Sequence, residues 1–228
     1  ETALEQLELR GNARIYPTES ASGELRELSA SNMTLTFEET TRAVAKATLG
    51  GDARIRSIAP APGGLRGMRA RAMTVTFDET TGTPEQAMLA GASTIELVGP
   101  DGGAGTRINA ETIDVTLAPD ESNVTALVAS DGVRFELADT QDGPGQEIRA
   151  QLLTGTGASD TGLTGVRFEG GVEYRETFAA VSRVIRAEQL EAGVEEGFSA
   201  LHNAGFKGDV SFTDDTREAS ADELLYDL

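Results

Sequence analysis

Apolar and polar residues alternate in two kinds of segment that take turns along the whole chain. Segments of the first kind are centred on Gly11, Gly51, Gly91, Asp131, Gly170 and Gly208. Apolar residues lie two and four positions on either side of a centre, as with Ala47, Leu49, Ala53 and Ile55 in the second copy. A period of two held over nine residues predicts a β-strand with one buried face. We call these segments the glycine strands.

Segments of the second kind, the alanine strands, each contain one of the alanines Ala30, Ala70, Ala110, Ala150, Ala187 and Ala221. An apolar residue follows each alanine three positions later, and in the first five copies another precedes it by two. This odd step breaks the alternation, which predicts a bulge or a corner. In the glycine strands, the central glycine is an even number of positions from the buried residues and so lies on the same face. This indicates either that the wall is too narrow there for a side chain or that the strand bends at the glycine.

The two strand types share a repeat of about forty residues. Met33–Thr41 (MTLTFEETT) recurs as Met73–Thr81 (MTVTFDETT) forty positions later. Nearly six copies of a two-strand unit predict one all-β domain over residues 1–228, with more than twelve strands and no helix longer than about two turns. Residues 183–204 are rich in helix formers, but the repeat favours strands there. Because the pattern begins and ends inside a repeat, we expect a segment of a longer chain.

Turn-forming sequences separate the predicted strands. They are Pro60–Gly64, Gly99–Gly103, Ala118–Asp120 and Asp142–Gly145. No linker divides the chain into two domains.

Composition narrows the fold and the partners. Apolar residues make up 39%, aromatic residues only 5%, tryptophan is absent and glycine numbers 26. These values favour a thin core of small side chains over a compact one. The net charge of −19 argues against nucleic acid, which needs a basic surface, and against docking on an anionic membrane.

Candidate catalytic and metal-binding chemistry is sparse. His202 is the only histidine and cysteine is absent, so catalytic triads and histidine or thiolate metal sites lack parts. For His202 we expect a surface or half-buried structural role. The acidic pairs Glu38–Glu39, Asp78–Glu79 and Asp214–Asp215 could offer oxygen ligands to Ca²⁺, but no known calcium spacing surrounds them. We expect solvated turn residues, and predict no catalytic site, metal or cofactor.

One basic stretch stands out in this acidic chain. Between Asp52 and Asp78 there is no acidic residue, but there are five arginines, Arg54, Arg56, Arg66, Arg69 and Arg71. They could meet a phosphate group or an acidic partner. We favour the interpretation that they face water and pair with acids on adjacent strands.

The tandem order of the two strand types resembles the OstA-like family of lipopolysaccharide-transport proteins, which comprises LptA, LptC and the N-terminal domain of LptD. The resemblance is carried best by Gly11–Ile15 (GNARI), Gly51–Ile55 (GDARI) and Gly208–Phe212 (GDVSF), and it covers nearly the whole chain. It implies an elongated, folded β-jellyroll, also described as a β-taco, that is open at both ends. The chain is very acidic for a carrier of a phosphorylated lipid.

In that family the apolar interior holds the acyl chains of lipopolysaccharide on their way through the periplasm to the outer membrane. The resemblance therefore implies a periplasmic lipid conduit, with an inner-membrane anchor upstream if the chain is LptC-like. The groove wall would be formed by Leu35, Phe37, Leu49, Ile55, Val75, Phe77, Leu89, Ile95, Val115, Leu127, Phe135, Phe168 and Phe206. It also implies partners of the same jellyroll type, joined through sheet edges.

Two other functions stay open at this point. One is a structural or adhesive β-solenoid with a closed, packed interior and no lipid ligand. The other is a polysaccharide-active β-helix enzyme, which would need converging carboxylates on one face of the repeats. For the ends we expect head-to-tail self-association, because the first predicted strand, Leu7–Ile15, has no proline and Ala221–Leu228 ends in apolar residues rather than in a polar cap.

Overall fold

A computed structural model of the chain describes residues 4–16, 26–57, 64–80, 82–99, 101–119, 123–137, 145–178, 181–195 and 200–227. Within these ranges all regular structure is β-strand, as the alternating pattern predicts. No stretch of them forms a helix that is long and apolar enough to cross a membrane. The predicted turns at residues 60–63 and 142–144 lie outside the described ranges.

Twelve strands account for this regular structure. They are β1 (Gln6–Ile15), β2 (Arg26–Phe37), β3 (Val44–Ser57), β4 (Leu65–Phe77), β5 (Pro84–Val98), β6 (Ala104–Leu117), β7 (Val124–Leu137), β8 (Gly145–Ala158), β9 (Gly162–Phe178), β10 (Val181–Val194), β11 (Leu201–Thr213) and β12 (Glu218–Tyr226). The glycine strands are the odd-numbered ones and the alanine strands the even-numbered ones. The prediction of more than twelve strands is wrong for the described residues. Where helix formers cluster, at 183–204, the chain forms β10 and the start of β11 instead.

The strands form one antiparallel sheet in sequence order, from β1 to β12. Every strand pairs with its neighbours in the sequence, so β1 and β12 are the two edges and the sheet is not closed. Short connections make this order favourable, because antiparallel neighbours can be joined by tight turns. Asp78 and Asp214 belong to such turns, and their carboxylates accept backbone N–H bonds from Thr80 and Thr216, each at 2.9 Å.

A bulge lies at the centre of every odd-numbered strand. Two consecutive residues there have positive φ, for example Gly51 (73°) and Asp52 (57°). The register confirms an extra residue, because Gly50 pairs with Ala72 and Ala53 pairs with Ala70. Three residue steps on β3 are therefore matched by only two on β4. The bulge that the odd step in the alanine strands predicts therefore lies in the partner strand. The central glycine thus has the backbone conformation of a bulge, and a Cβ on Gly51 would also lie 2.7 Å from Ser31 Oγ.

The bulges divide each strand into two halves, and the halves form two walls. The first wall contains the residues before the bulge in odd-numbered strands and those paired with them, such as Met33, Leu49 and Met73. The second wall contains the residues after the bulge and their partners, such as Ile55 and Met68. We call the row of bulges between the walls the fold line.

Both walls bury the same face of the sheet in one continuous apolar core. Since the described residues include no helix or second sheet to cover this face, the walls must cover each other. Three ring contacts cross between them: Phe135 with Phe168, and Tyr174 with both Phe206 and Tyr226. The sheet is therefore folded on itself, with its apolar side chains inside.

Candidate functional site

The interior between the walls contains the predicted groove residues. Eleven of the thirteen are buried in the core, and the other two, Phe37 and Phe77, are half-buried against it at the end of the first wall. The buried ones are Leu35, Leu49, Ile55, Val75, Leu89, Ile95, Val115, Leu127, Phe135, Phe168 and Phe206. All thirteen side chains thus lie on the inner face. Their role in binding a ligand stays a prediction.

The lining changes in size along the sheet. Toward the N-terminal end, the fully buried large side chains are those of Met33, Leu49 and Met73. From β7 onward aromatic rings bridge the walls, beginning with Phe135 and Phe168. Edge-to-face ring pairs add to the attraction between the walls beyond the area that they bury. The walls are therefore held together more firmly at the C-terminal end than at the N-terminal end.

A polar cluster links the two walls at the C-terminal end. Glu176 on β9 and Arg183 on β10 belong to the second wall, and Tyr226 on β12 belongs to the first. The Tyr226 hydroxyl donates to Glu176 Oε2 at 3.0 Å, and Arg183 Nη1 donates to the same oxygen at 3.2 Å and to the Tyr226 hydroxyl at 2.9 Å. Burial, followed by the hydrogen bond to Glu176 and then by the charge of that carboxylate, raises the pKa of Tyr226. We call these three residues the clasp.

Sequence reasoning missed the clasp, although one signal for it was present. Glu176 lies six positions after Gly170, an even step that places this acid on the buried face of a glycine strand. Only 9% of Glu176 is exposed, and a carboxylate so deeply buried needs hydrogen-bond partners. An acid at an inward-facing position therefore indicates a partner elsewhere in the fold, here Tyr226, fifty residues away.

Some buried polar atoms have no hydrogen-bond partner among the described residues. On the inner face they are Tyr174 Oη, Ser57 Oγ and Gln146 Oε1. Tyr174 is completely buried, and desolvation raises the pKa of its hydroxyl far above the usual range. Its hydroxyl is therefore a neutral polar group between the two walls, without a hydrogen-bond partner among the described residues.

The candidates for catalysis and metal binding are not brought together. His202 is half-buried, its ring lies against Gly193, and its Nδ1 has no hydrogen-bond partner among the described residues. In the part of the chain that the structure describes, no three acidic or histidine side chains form a group that could hold a metal ion. The carboxylates of Asp78 and Asp214 instead serve their own turns.

The basic stretch pairs differently from the prediction. Arg54 binds Asp52 at 3.0 Å on its own strand rather than an acid on a neighbouring strand. Arg66 donates to the carbonyls of Gly102, at 3.3 Å, and Gly103. Arg56, Arg69 and Arg71 form no ion pair with any described residue. The predicted cross-strand pairing with acids is therefore wrong for these arginines, although the sheet has such pairs elsewhere, as between Arg107 and Glu96.

Comparison of the sequence with known proteins finds no matching protein-family model and no match among curated proteins. The function of the chain must therefore be argued from the interior, the clasp and the outer face of the sheet.

Proposed function

We propose that this chain is a periplasmic lipid-binding conduit that shields the acyl chains of lipopolysaccharide, or of a related lipid, during transport toward the outer membrane. We further propose that the folded sheet is an elongated β-jellyroll of the OstA-like type, built from repeats of about forty residues and open at both ends. The proposal gives the chain no enzymatic activity. It rests on the motif resemblance together with the form of the interior.

The observation that carries the proposal is an apolar interior bounded by two walls that no strand pairing joins at their far edges. Every strand pairing among the described residues runs between consecutive strands, so backbone hydrogen bonds connect the walls only across the fold line. The walls can therefore separate by exchanging side-chain contacts alone. An acyl chain replaces those contacts with others of the same kind, and each buried methylene contributes about 0.8 kcal/mol.

The half-buried residues suggest where a chain could enter. Phe37 on β2 and Phe77 on β4 lie at the ends of their strands, packed against the core but still in contact with solvent. Among the described residues, this part of the interior also has no aromatic contact between the walls. We therefore expect an acyl chain to enter near the N-terminal strands, far from the clasp.

Photo-crosslinking tests the conduit directly. A benzophenone amino acid, itself a phenylalanine analogue, should capture lipopolysaccharide when it replaces Phe37 or Phe135, whose side chains face the interior. The matched controls are Thr36 and Arg134, their neighbours on the outer face. Because each pair differs by one position, adsorption of lipid micelles to the surface would label both members equally. Equal labelling of the two faces, or no labelling from the interior, would contradict the proposal.

One observation favours a second candidate, the structural β-solenoid. Leu49, Ile113 and Phe135 have no exposed surface at all, so the interior is already filled by its own side chains. A closed core of this kind would ignore a fluorescent fatty acid, whereas a conduit should bind it. Ile55→Asp would bury an unpaired charge in either case and cost several kcal/mol of stability. Only in the conduit should milder lining changes, such as Leu89→Ala, also alter fatty-acid affinity.

The edges of the sheet suggest the partners. β1 and β12 each pair on one side only, and unpaired strand edges can accept another strand. We propose that other jellyroll proteins of the same type, or further copies of this chain, add there head to tail. Because the two edges are different strands, such contacts could continue into longer assemblies.

A further inference from the structure

The outer face of the sheet has a basic groove on β3, β4 and β5. Its volume is about 400 Å³. The residues that define it are Arg54, Arg56, Arg66, Gly67, Arg69 and Glu96. The chain as a whole has a net charge of −19, so the four arginines around this groove form a positively charged area on an acidic protein. The fifth arginine of the basic stretch, Arg71, lies at the fold line instead, next to Gly91.

Strand register places like charges directly opposite each other in this groove. Arg54 on β3 pairs in register with Arg69 on β4, and Arg56 pairs with Gly67 in the next outward-facing row. Like charges that face each other across two strands destabilise a sheet. Three acids lie nearby, and each has another arginine as its ion-pair partner or is already paired within the groove: Asp52 binds Arg54 at 3.0 Å and Glu96 binds Arg107 at 3.0 Å. Glu27 on β2 pairs in register with Arg56, but its ion pair is with Arg14, at 4.0 Å. Arg56 and Arg69 have no carboxylate partner among the described residues.

A second pair of facing arginines in this chain has carboxylates of the protein itself as partners. Two repeats later, eighty residues on, Arg134 on β7 again lies opposite Arg149 on β8. There the next row is Glu136 opposite Glu147. Arg134 binds Glu136 at 2.8 Å and Glu147 at 3.0 Å, and Arg149 also binds Glu147. Two carboxylates thus balance the two arginines.

In the groove, the positions of these two glutamates are taken by Arg56 and Gly67. The first change adds a positive charge where a negative one would balance the pair. The second leaves β4 without a side chain at this position, where a Cβ would lie only 2.9 Å from the Ile55 carbonyl oxygen. The groove therefore lacks these two carboxylates, and its volume of about 400 Å³ leaves room for an anion beside the arginines. An external oxyanion would supply the missing negative charge.

We propose that this groove binds a phosphate group, either free or carried on a lipid headgroup. Guanidinium groups bind phosphate oxygens through paired, charge-assisted hydrogen bonds, and Arg54, Arg56 and Arg69 present three of them on one surface. The proposal concerns the outer face and is independent of what the interior binds. Because the rest of the protein is acidic, the attraction acts only at short range, and added salt weakens it.

Titration of the full chain with inorganic phosphate and with pyrophosphate, followed by calorimetry or NMR, tests the site. Arg56→Glu reverses the charge of an exposed side chain in the groove, so it should keep the fold and weaken binding about tenfold or more. Arg69→Gln, which keeps a polar side chain, should also weaken it. Lys46→Glu is the matched control: it makes the same charge change on an exposed residue of β3 outside the groove and should leave affinity unchanged.

Vesicles distinguish the two sources of phosphate. Binding to phosphatidylcholine vesicles that contain phosphatidic acid, but not to pure phosphatidylcholine, together with weak binding of free phosphate, would assign the site to a lipid headgroup. Strong binding of free phosphate and none of either vesicle would assign it to a soluble phosphate. Both outcomes support the proposal if Arg56→Glu abolishes them. Equal losses with Arg56→Glu and Lys46→Glu, or no binding of any phosphate probe, would overturn it and favour an acidic protein partner.

Discussion

The rings of Phe135 on β7 and Phe168 on β9 meet edge to face, with centroids 5.5 Å apart and planes inclined at 74°. Phe135 lies after the bulge of its strand and Phe168 before the bulge of its own, so the contact joins the two walls. Neither ring has any exposed surface. The pair therefore closes the interior at the middle of the sheet, where a conduit would have to open.

Truncation of this contact should be costly. Phe135→Ala leaves a cavity between the walls, and we expect it to lower the free energy of unfolding by about 3 to 5 kcal/mol. Val128→Ala is the control, because Val128 lies on the outer face of the same strand and is 42% exposed. It should change stability by no more than about 0.5 kcal/mol. Urea unfolding of both variants measures the difference, and similar losses would show that the walls do not pack there.

The fold line can be tested at Gly51. A Cβ on Gly51 would lie 2.7 Å from Ser31 Oγ, and the residue has φ of 73°. Gly132 has a similar φ of 76°, but open space surrounds the position of its missing Cβ. Gly132→Ala should therefore cost only the backbone strain of about 1 to 2 kcal/mol, and Gly51→Ala more. Adding Ser31→Gly should remove the excess. Equal costs for the two alanine variants would mean that Ser31 gives way freely.

Loss of the clasp should loosen the C-terminal end without unfolding it. Tyr226→Phe keeps the ring beside Tyr174 but removes the hydroxyl that donates to Glu176. We expect a loss of about 0.5 to 1.5 kcal/mol and faster amide exchange in β12. Tyr16→Phe is the control, since the Tyr16 hydroxyl accepts an exposed hydrogen bond from Arg14 and is far from the clasp in the strand order, at the opposite edge of the sheet. Unchanged exchange in β12 would show that the clasp does not restrain this strand.

Stability should depend on pH through Glu173. Partial burial of its carboxyl opposes ionisation, but hydrogen bonds from Arg175 at 3.0 Å and Arg186 at 2.9 Å outweigh it and lower the pKa. A carboxyl whose folded pKa is depressed stabilises the protein fully above its unfolded pKa of about 4.3. That contribution is lost as the pH falls through the folded pKa.

The variant Glu173→Gln should therefore be less stable than the parent at neutral pH, and the difference should shrink in acid. Glu85→Gln is a suitable control, because Glu85 is exposed and forms no ion pair with any described residue. Glu85→Gln also removes one negative charge, so it measures how much stability changes merely because the overall repulsion among the acidic residues is reduced. Denaturant unfolding at several pH values tests this, and a constant gap down to low pH would contradict it.

The sheet edges predict self-association that strengthens with salt, because screening reduces the repulsion between chains of net charge −19. Leu225 on the edge strand β12 is 81% exposed, so Leu225→Asp should weaken assembly. Met88→Asp is the control, since Met88 is 53% exposed but lies on β5, in the interior of the sheet. Light scattering over a concentration and salt series measures both. A monomer at high concentration and high salt would contradict edge pairing.

Alternation along the chain was enough to predict the strands and the inner face of the sheet. Alternation with a period of two is a local property of an extended chain, so it identified Leu49, Ile55 and Phe135 as inward-facing without any knowledge of their partners. The repeat also overruled the helix-forming composition of residues 183–204. The odd step in the alanine strands predicted a bulge or a corner, since it changes the parity of the buried face, and the structure has a bulge.

Which residues meet across the sheet could be learned from the folded chain alone. The extra residue was assigned to Gly51 and Asp52 rather than to the alanine strand by backbone conformation, which alternation does not report. The facing of Arg54 and Arg69 depends on register, and the Glu176–Tyr226 bond joins residues fifty positions apart across the walls. Such contacts arise when a sheet folds on itself, and the order of residues in one strand contains no information about the opposite wall.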